Sequence, residues 1–286
     1  MNHLIYLSYG GGIHVEELRF SVQSALSFNP RAGSAFEITI LTDDPSRFDD
    51  LSVRIERISS DQLREWQGLY GYHYRRKIAG IRHALELLGG KVALVDTDTY
   101  FLRHPGLLFD RISPGRSLMH RREAHLDRCK AGNLADYLMG ERLRKLDGTF
   151  WDIDANTPMW NSGVIGLEPT SRPWVDEALH LIDELCKAVS VRTIEQFALG
   201  AVLSRTTKLQ ESDEIVFHYY EDALRFPFQE KIQSLAKSHR QLTTAEFYGL
   251  LYPQRPKHTF VRACRTSVGR ILRRAGITRD KQRKIG

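Results

Sequence analysis

Cysteine is scarce in this chain: Cys129, Cys186 and Cys264 are the three among 286 residues, far apart and odd in number. They form no CxxC pair and no metal-knuckle spacing. That excludes a disulfide-stapled scaffold and a zinc knuckle, and reads as free thiols in a reducing compartment. Long hydrophobic runs are missing as well, since no window approaches the ~18 consecutive apolar residues of a membrane-crossing helix. The opening Met-Asn-His-Leu-Ile-Tyr-Leu-Ser lacks the basic region, apolar core and cleavage site of a secretory leader, so a cytoplasmic protein is expected. Internal repeats and low-complexity segments are also lacking. What remains is ordinary globular composition, 42% hydrophobic and 27% charged. A chain of this length buries roughly three quarters of its unfolded surface without cross-links.

The net charge of +6 invites a nucleic-acid reading, but its distribution opposes one. Residues 254–286 hold eleven of the 41 Lys/Arg and one of the 35 acids, leaving residues 1–253 with 30 bases against 34 acids. The body is mildly acidic and the tail strongly basic, so nucleic acid is not expected as a partner. In the tail, Phe260, Val261, Cys264, Val268, Ile271 and Leu272 recur at helical spacing between arginines. This predicts a basic amphipathic helix with two readings open. It lies on an anionic membrane surface, or it docks its apolar stripe on the protein itself.

The first hundred residues alternate strand and helix patterns. Leu4–Leu7 is a short apolar run closed by Ser8-Tyr9-Gly10-Gly11-Gly12. A helical stretch from Val15 to Leu26 ends at Asn29-Pro30. Phe36–Leu41 and Val53–Ile58 read as strands, with Thr42-Asp43-Asp44-Pro45 as the loop between them. Ile78, Ile81, Leu85 and Leu88 mark a helix that stops at Gly89-Gly90. Val92–Val95 is then an apolar strand running into Asp96-Thr97-Asp98. The second half is less regular: a helix near 133–146, a turn at Asn161-Ser162-Gly163 leading into a strand Val164–Leu167, helices over 172–188 and 194–203, and a strand Ile215–His218. Repeated strand–helix units predict a mostly parallel sheet covered by helices on both faces, in an α/β Rossmann-like domain. Ligands in such sheets sit beyond the carboxyl ends of the strands, where Ser8-Tyr9, Asp43-Asp44 and Asp96-Asp98 all fall.

Asp96 and Asp98 are two carboxylates at a strand end, where the turning chain lets both converge on one hard cation; oxygen ligands suit Mn²⁺ or Mg²⁺. Asn161 and Gly163 offer an amide that donates and accepts, and close backbone approach to a ligand. Glu195 and Gln196 open an apolar helix, where an acid also serves helix electrostatics. His218 ends an apolar strand. A bare Asp-x-Asp is commonly a pair of solvated loop residues, and its position after a buried strand is what raises it above that.

In order and spacing these pieces resemble a glycosyltransferase of the GT-A fold, nearest to family 8 and related nucleotide-diphospho-sugar transferases. The resemblance runs over roughly residues 3–220, with Tyr74-Arg75-Arg76-Lys77 fitting as basic support for the donor site. It implies a nucleotide-binding half at 1–110 and an acceptor-binding half at 111–253, followed by the basic tail. It implies Asp98 as direct metal ligand, Asp96 on the donor ribose and the metal, and His218 as the third protein ligand. Ser8, Tyr9, Asp43 and Lys77 would serve the donor, Asn161 and Gly163 the donor sugar or acceptor, and Glu195-Gln196 the reacting carbon. The chain departs from family 8 in having Glu195 where an Asp is usual, and His218-Tyr-Tyr-Glu-Asp-Ala in place of a glycine and Lys-Pro-Trp. The expected partners are a nucleotide-sugar, UDP-sugar by preference, and a glycan or lipid-linked acceptor, which would place the enzyme at the inner face of the membrane. If the reaction inverts, Glu195 is the expected base; if it retains, as the resemblance implies, Gln196 or the leaving phosphate takes that place. Two rival readings stand beside this one. A haloacid-dehalogenase-like phosphatase would use Asp96 as nucleophile and Asp98 as acid/base, although Thr99 and Tyr100 occupy the positions where that loop needs another residue and then Thr. A non-catalytic nucleotide-binding protein is the other.

Overall fold

The computed structural model describes residues 1–28, 36–128 and 134–238, together with Glu246 and Leu250. The basic tail, Cys129 and Cys264 lie outside these, while Cys186 is a free, half-buried thiol. Among the described residues no helix is long and apolar enough to cross a membrane.

The first half follows the expected alternation. β1 (Asn2–Ser8), α1 (Ile13–Leu26), β2 (Phe36–Thr42), β3 (Arg54–Arg57), α2 (Ser60–Trp66), α3 (Arg75–Leu88) and β4 (Lys91–Val95) occur in that order. α3 stops where Gly89 takes a left-handed backbone, φ 61°, a conformation that costs glycine nothing. Then come β5 (Thr99–Phe101), α4 (Gly106–Phe109), β6 (Arg116–His125), α5 (Leu134–Leu138), β7 (Arg142–Arg144), β8 (Phe150–Asp152) and β9 (Pro158–Leu167). The chain continues through α6 (Arg172–Cys186), α7 (Ile194–Thr206), β10 (Lys208–Gln210), β11 (Val216–His218) and α8 (Asp222–Ser238).

Seven strands form one sheet in the order β10-β6-β9-β4-β1-β2-β3. It is mostly parallel; β9 alone runs against its neighbours β4 and β6. Helices cover both faces. Ile5, Leu41, Leu94 and Ile165 point into a core with α2, α3, α6 and α7, while Leu4, Tyr6, Ile40, Ala93 and Val164 point into a second core with α1 and α4. Strands buried on both faces read as unbroken apolar runs, which is why the first half was legible.

Two expectations needed correction, and one strand had not been expected. Asn161-Ser162-Gly163 is not a turn before a strand but lies inside β9, a ten-residue strand. The helix expected over 133–146 is the short α5, and Arg142–Arg144 is already a strand, because Gly140, at φ 84°, ends the helix. The basic stretch of residues 116–125 forms β6, paired with β9 along its length.

The register gives this pair a special shape. β4 meets β9 only from Val92↔Leu167 to Val95↔Val164. β9 and β6 continue past that point, to Arg121↔Asn161 and His125↔Pro158. A two-stranded ribbon thus projects beyond the carboxyl end of β4. Residues 126–157 hang from its tip, where Leu126 N–H donates to Thr157 O at 2.9 Å.

Candidate metal centre

β4 delivers Asp96 and Asp98 to the edge of the sheet. Asp96 N–H donates to Gly163 O of β9 at 2.9 Å, so the chain leaves β4 still tied to the ribbon. The Thr99 hydroxyl donates back to Asp96 O at 2.7 Å and closes the turn. β5 then pairs antiparallel with β11, with His218 opposite Thr99. Tyr219 N–H donates to Asp98 O at 3.0 Å. Local pairing therefore sets the imidazole beside both carboxylates.

Ligand atoms of Asp96, Asp98 and His218 lie within 4.8 Å of one another, and the group can hold a metal ion. His218 Nε2 is 3.2 Å from Asp98 Oδ1 and 3.9 Å from Asp96 Oδ2. Two carboxylates and one imidazole are a fitting donor set for a divalent cation.

The tautomer of His218 is fixed from behind. Asn161 Oδ1 accepts from the Gly163 backbone N–H at 2.9 Å, which can only donate, so the amide orientation is settled. The same oxygen is 3.0 Å from His218 Nδ1, which therefore carries the proton and donates. In the neutral ring Nε2 then presents its lone pair to the aspartates, the arrangement metal-ligating histidines use. Asn161 Nδ2 donates to Glu123 Oε1 at 3.1 Å. Gly163 is required for room. A Cβ there would lie 2.6 Å from His218 Cε1 and 2.8 Å from Cγ, and nearer still to Nδ1.

Charges around the cluster are paired. Lys77, from the first turn of α3, donates to Asp96 Oδ2 at 2.7 Å and to Ser162 Oγ at 3.1 Å. Ser162 donates to Glu195 Oε1 at 2.8 Å, and Gln196 N–H donates to Glu195 Oε2 at 2.6 Å. Glu195 is enclosed, with both oxygens engaged. Burial pushes its carboxyl above the ordinary range, against the opposing pull of Lys77 and the Ser162 hydrogen bond. Asp98 is also buried, which alone would raise it, but His218 and Arg225 outweigh burial and hold it well below the usual carboxylate range. Arg225, on α8, reaches Asp98 Oδ2 at 3.1 Å and the fully buried Glu17 at 3.3 Å. His120 stands edge-on to His218 at 5.3 Å and donates through Nε2 to Val216 O. Burial, then the neighbouring His218, lowers its pKa well below the usual value, so it adds no positive charge.

The structure thus brings together Asp96, Asp98, His218, Lys77, Asn161, Gly163 and Glu195 from five elements or their ends. Ser8, Tyr9 and Asp43 lie along the same edge, at the ends of β1 and β2, in contacts of their own. Ser8 is buried opposite Thr42. Tyr9 Oη is 3.0 Å from His73 Nε2, and the Arg76 guanidinium covers its ring at 4.7 Å. Arg76 also donates to Leu63 O, away from the aspartates. Asp43 accepts from Gly10 N–H at 3.0 Å and pairs with Arg47, which shapes the loop after β1. Gln196 contributes its backbone N–H. Sequence reasoning missed Ser162, Arg225, Glu123 and Tyr220. Ser162 sat between two residues it did select, and Tyr220 two residues after His218; nothing in chain order connects Arg225 or Glu123 to the aspartates. No family model matches the sequence, and no curated protein matches it.

Proposed function

We propose that this chain is a metal-dependent glycosyltransferase of the GT-A kind, moving a sugar from a nucleoside-diphosphate donor, UDP-sugar by preference, to a glycan or lipid-linked acceptor hydroxyl. The observation that carries this reading is the meeting of Asp96, Asp98 and His218 within 4.8 Å at the end of β4. β4 lies beside β1, and the strand order runs away from β1 in both directions. Ligands of open α/β sheets sit in the crevice beyond the strand ends at such a switch point.

Asp96, Asp98 and His218 Nε2 would hold Mn²⁺ or Mg²⁺, which when bound would supply Lewis-acid stabilisation of charge on a departing diphosphate. The protein's own groups prepare the site. Asn161 holds the imidazole in the ligating tautomer. Arg225, 3.1 Å from Asp98 Oδ2, favours the ionised form of that ligand. Lys77 adds a fixed positive charge next to Asp96, placed to favour an anionic leaving group. Tyr9 and the Arg76 guanidinium over it form a flat cationic surface at the end of β1, suited to a nucleoside.

The test is a thermal-shift panel of UDP, GDP, CMP and TDP with and without Mn²⁺, run beside Asp98→Ala. The expected result is a nucleotide-dependent rise in Tm that needs Mn²⁺ and disappears in the variant. Absence of any shift in the wild-type protein refutes the donor-site reading.

A further inference from the structure

We infer that Glu123 is the carboxylate that takes the proton from the acceptor hydroxyl, an assignment that rests on the glycosyltransferase reading above. Glu123 lies on the outer half of β6, on the ribbon that projects past the end of β4. One of its oxygens is held by two donors: Asn161 Nδ2 at 3.1 Å and the Tyr220 hydroxyl at 3.1 Å. Tyr220 itself receives a hydrogen bond from Arg121 Nη2 at 2.6 Å, and its ring packs 4.8 Å from that of His218. Along the extended segment after β11, His218 faces the metal cluster, Tyr219 turns into the aromatic core with Phe228, and Tyr220 returns to the cluster side.

Glu123 is therefore oriented by the same two residues, Asn161 and Tyr220, that brace His218. Among the described residues no donor engages its second oxygen. It is half-buried, so a ligand can reach it, whereas Glu195 is enclosed with both oxygens occupied. A base must reach the proton it removes, which the enclosure of Glu195 opposes and the partial exposure of Glu123 allows. In the step, which takes the inverting alternative, the acceptor oxygen forms its bond to the anomeric carbon and its proton passes to Glu123 Oε2. The bond from that carbon to the phosphate oxygen breaks, and its electron pair leaves with the nucleoside diphosphate.

The experiment follows UDP release by the full chain with Mn²⁺ from UDP-glucose, UDP-galactose and UDP-N-acetylglucosamine, with water or methanol as acceptor. Glu123→Gln is expected to keep the wild-type melting shift with UDP and Mn²⁺ and to release UDP about 100-fold more slowly. Azide has no proton to lose, so it is expected to restore turnover to Glu123→Ala and yield a glycosyl azide by mass spectrometry, but not to restore Asp98→Ala. Wild-type release by Glu123→Gln, or failure of azide to restore Glu123→Ala, overturns the assignment and leaves the donor site standing. Failure of UDP and Mn²⁺ to shift the wild-type protein overturns the donor site itself.

Discussion

Gly163→Ala probes the candidate metal centre without touching any of its three proposed ligands. The backbone at 163 is ordinary strand, so alanine brings no torsional strain, only a methyl group aimed at the His218 ring. That methyl would stand 2.6 Å from Cε1 and 2.8 Å from Cγ. Comfortable carbon contacts begin near 3.5 Å, so the ring must retreat by about 1 Å. Metal–ligand distances tolerate roughly 0.2 Å, so the retreat removes Nε2 from the donor set and breaks the Asn161 hydrogen bond behind it. Overpacking of this kind costs about 2 kcal/mol, or a Tm lower by roughly 4–8 °C. Loss of the orienting interaction lowers Mn²⁺ affinity by about 10- to 100-fold. Isothermal titration with Mn²⁺ and urea unfolding measure the two effects. His218→Ala in the Gly163→Ala background should recover much of the stability while binding Mn²⁺ no more weakly than His218→Ala alone. Gly166→Ala, three residues along β9, meets Ile112 and Leu118 at 2.7 and 3.0 Å instead. It should lose comparable stability and keep Mn²⁺ binding. Wild-type Mn²⁺ affinity in Gly163→Ala would refute the reasoning.

Arg225→Met takes the arginine from the fully buried Glu17 carboxylate, which keeps only Gln229 and His14, and removes one partner of Asp98, so it should destabilise by about 3 kcal/mol; Glu17→Gln in the same background should return part of this in urea unfolding. Lys77→Met removes a charged donor shared by Asp96 and Ser162, for an expected cost of about 1.5–3 kcal/mol and weaker UDP–Mn²⁺ binding by titration calorimetry. Glu195 gives a pH signature. Its folded-state pKa is raised, so the folded protein binds its proton more tightly than the unfolded chain, and the ionised form costs stability as pH rises through that range. Relative to wild type, Glu195→Gln should therefore gain stability from acid towards neutral pH, levelling off above the raised pKa. Parallel urea midpoints for the two proteins across that range would refute the assignment of this burial penalty to Glu195.

Much of this was legible in the residues, for identifiable reasons. β1, β2 and β4 are apolar on both faces and end in polar clusters, so their existence and the edge they share could be read directly. β6 hid itself. Its first half, Ser117–His120, is buried, but its second half leaves the sheet as part of the ribbon and carries Arg121, Arg122 and Glu123 into partial exposure. No single period describes both halves. Asn161-Ser162-Gly163 was placed in a turn because Asn-Ser-Gly is turn-like composition, and only pairing with β6 extends it. α8 was not read at all. Pro227 interrupts its pattern, and its apolar face, Leu224, Phe228, Ile232 and Leu235, is narrow. Arg225 could not be linked to Asp98 by any local spacing, since the contact exists only once α8 packs on α1 and β5.

The ribbon also bears on how this protein can be altered. Residues 126–157 leave the sheet and return to it through one doorway, with His125 opposite Pro158 and Leu126 bonded to Thr157. The aspartates and His218 arrive from elsewhere in the chain. The excursion is thus a cassette with its two ends already fastened together. A replacement of different length must resupply the share of the core that Leu134, Leu138, Leu143 and Ile153 now fill against α6 and α7.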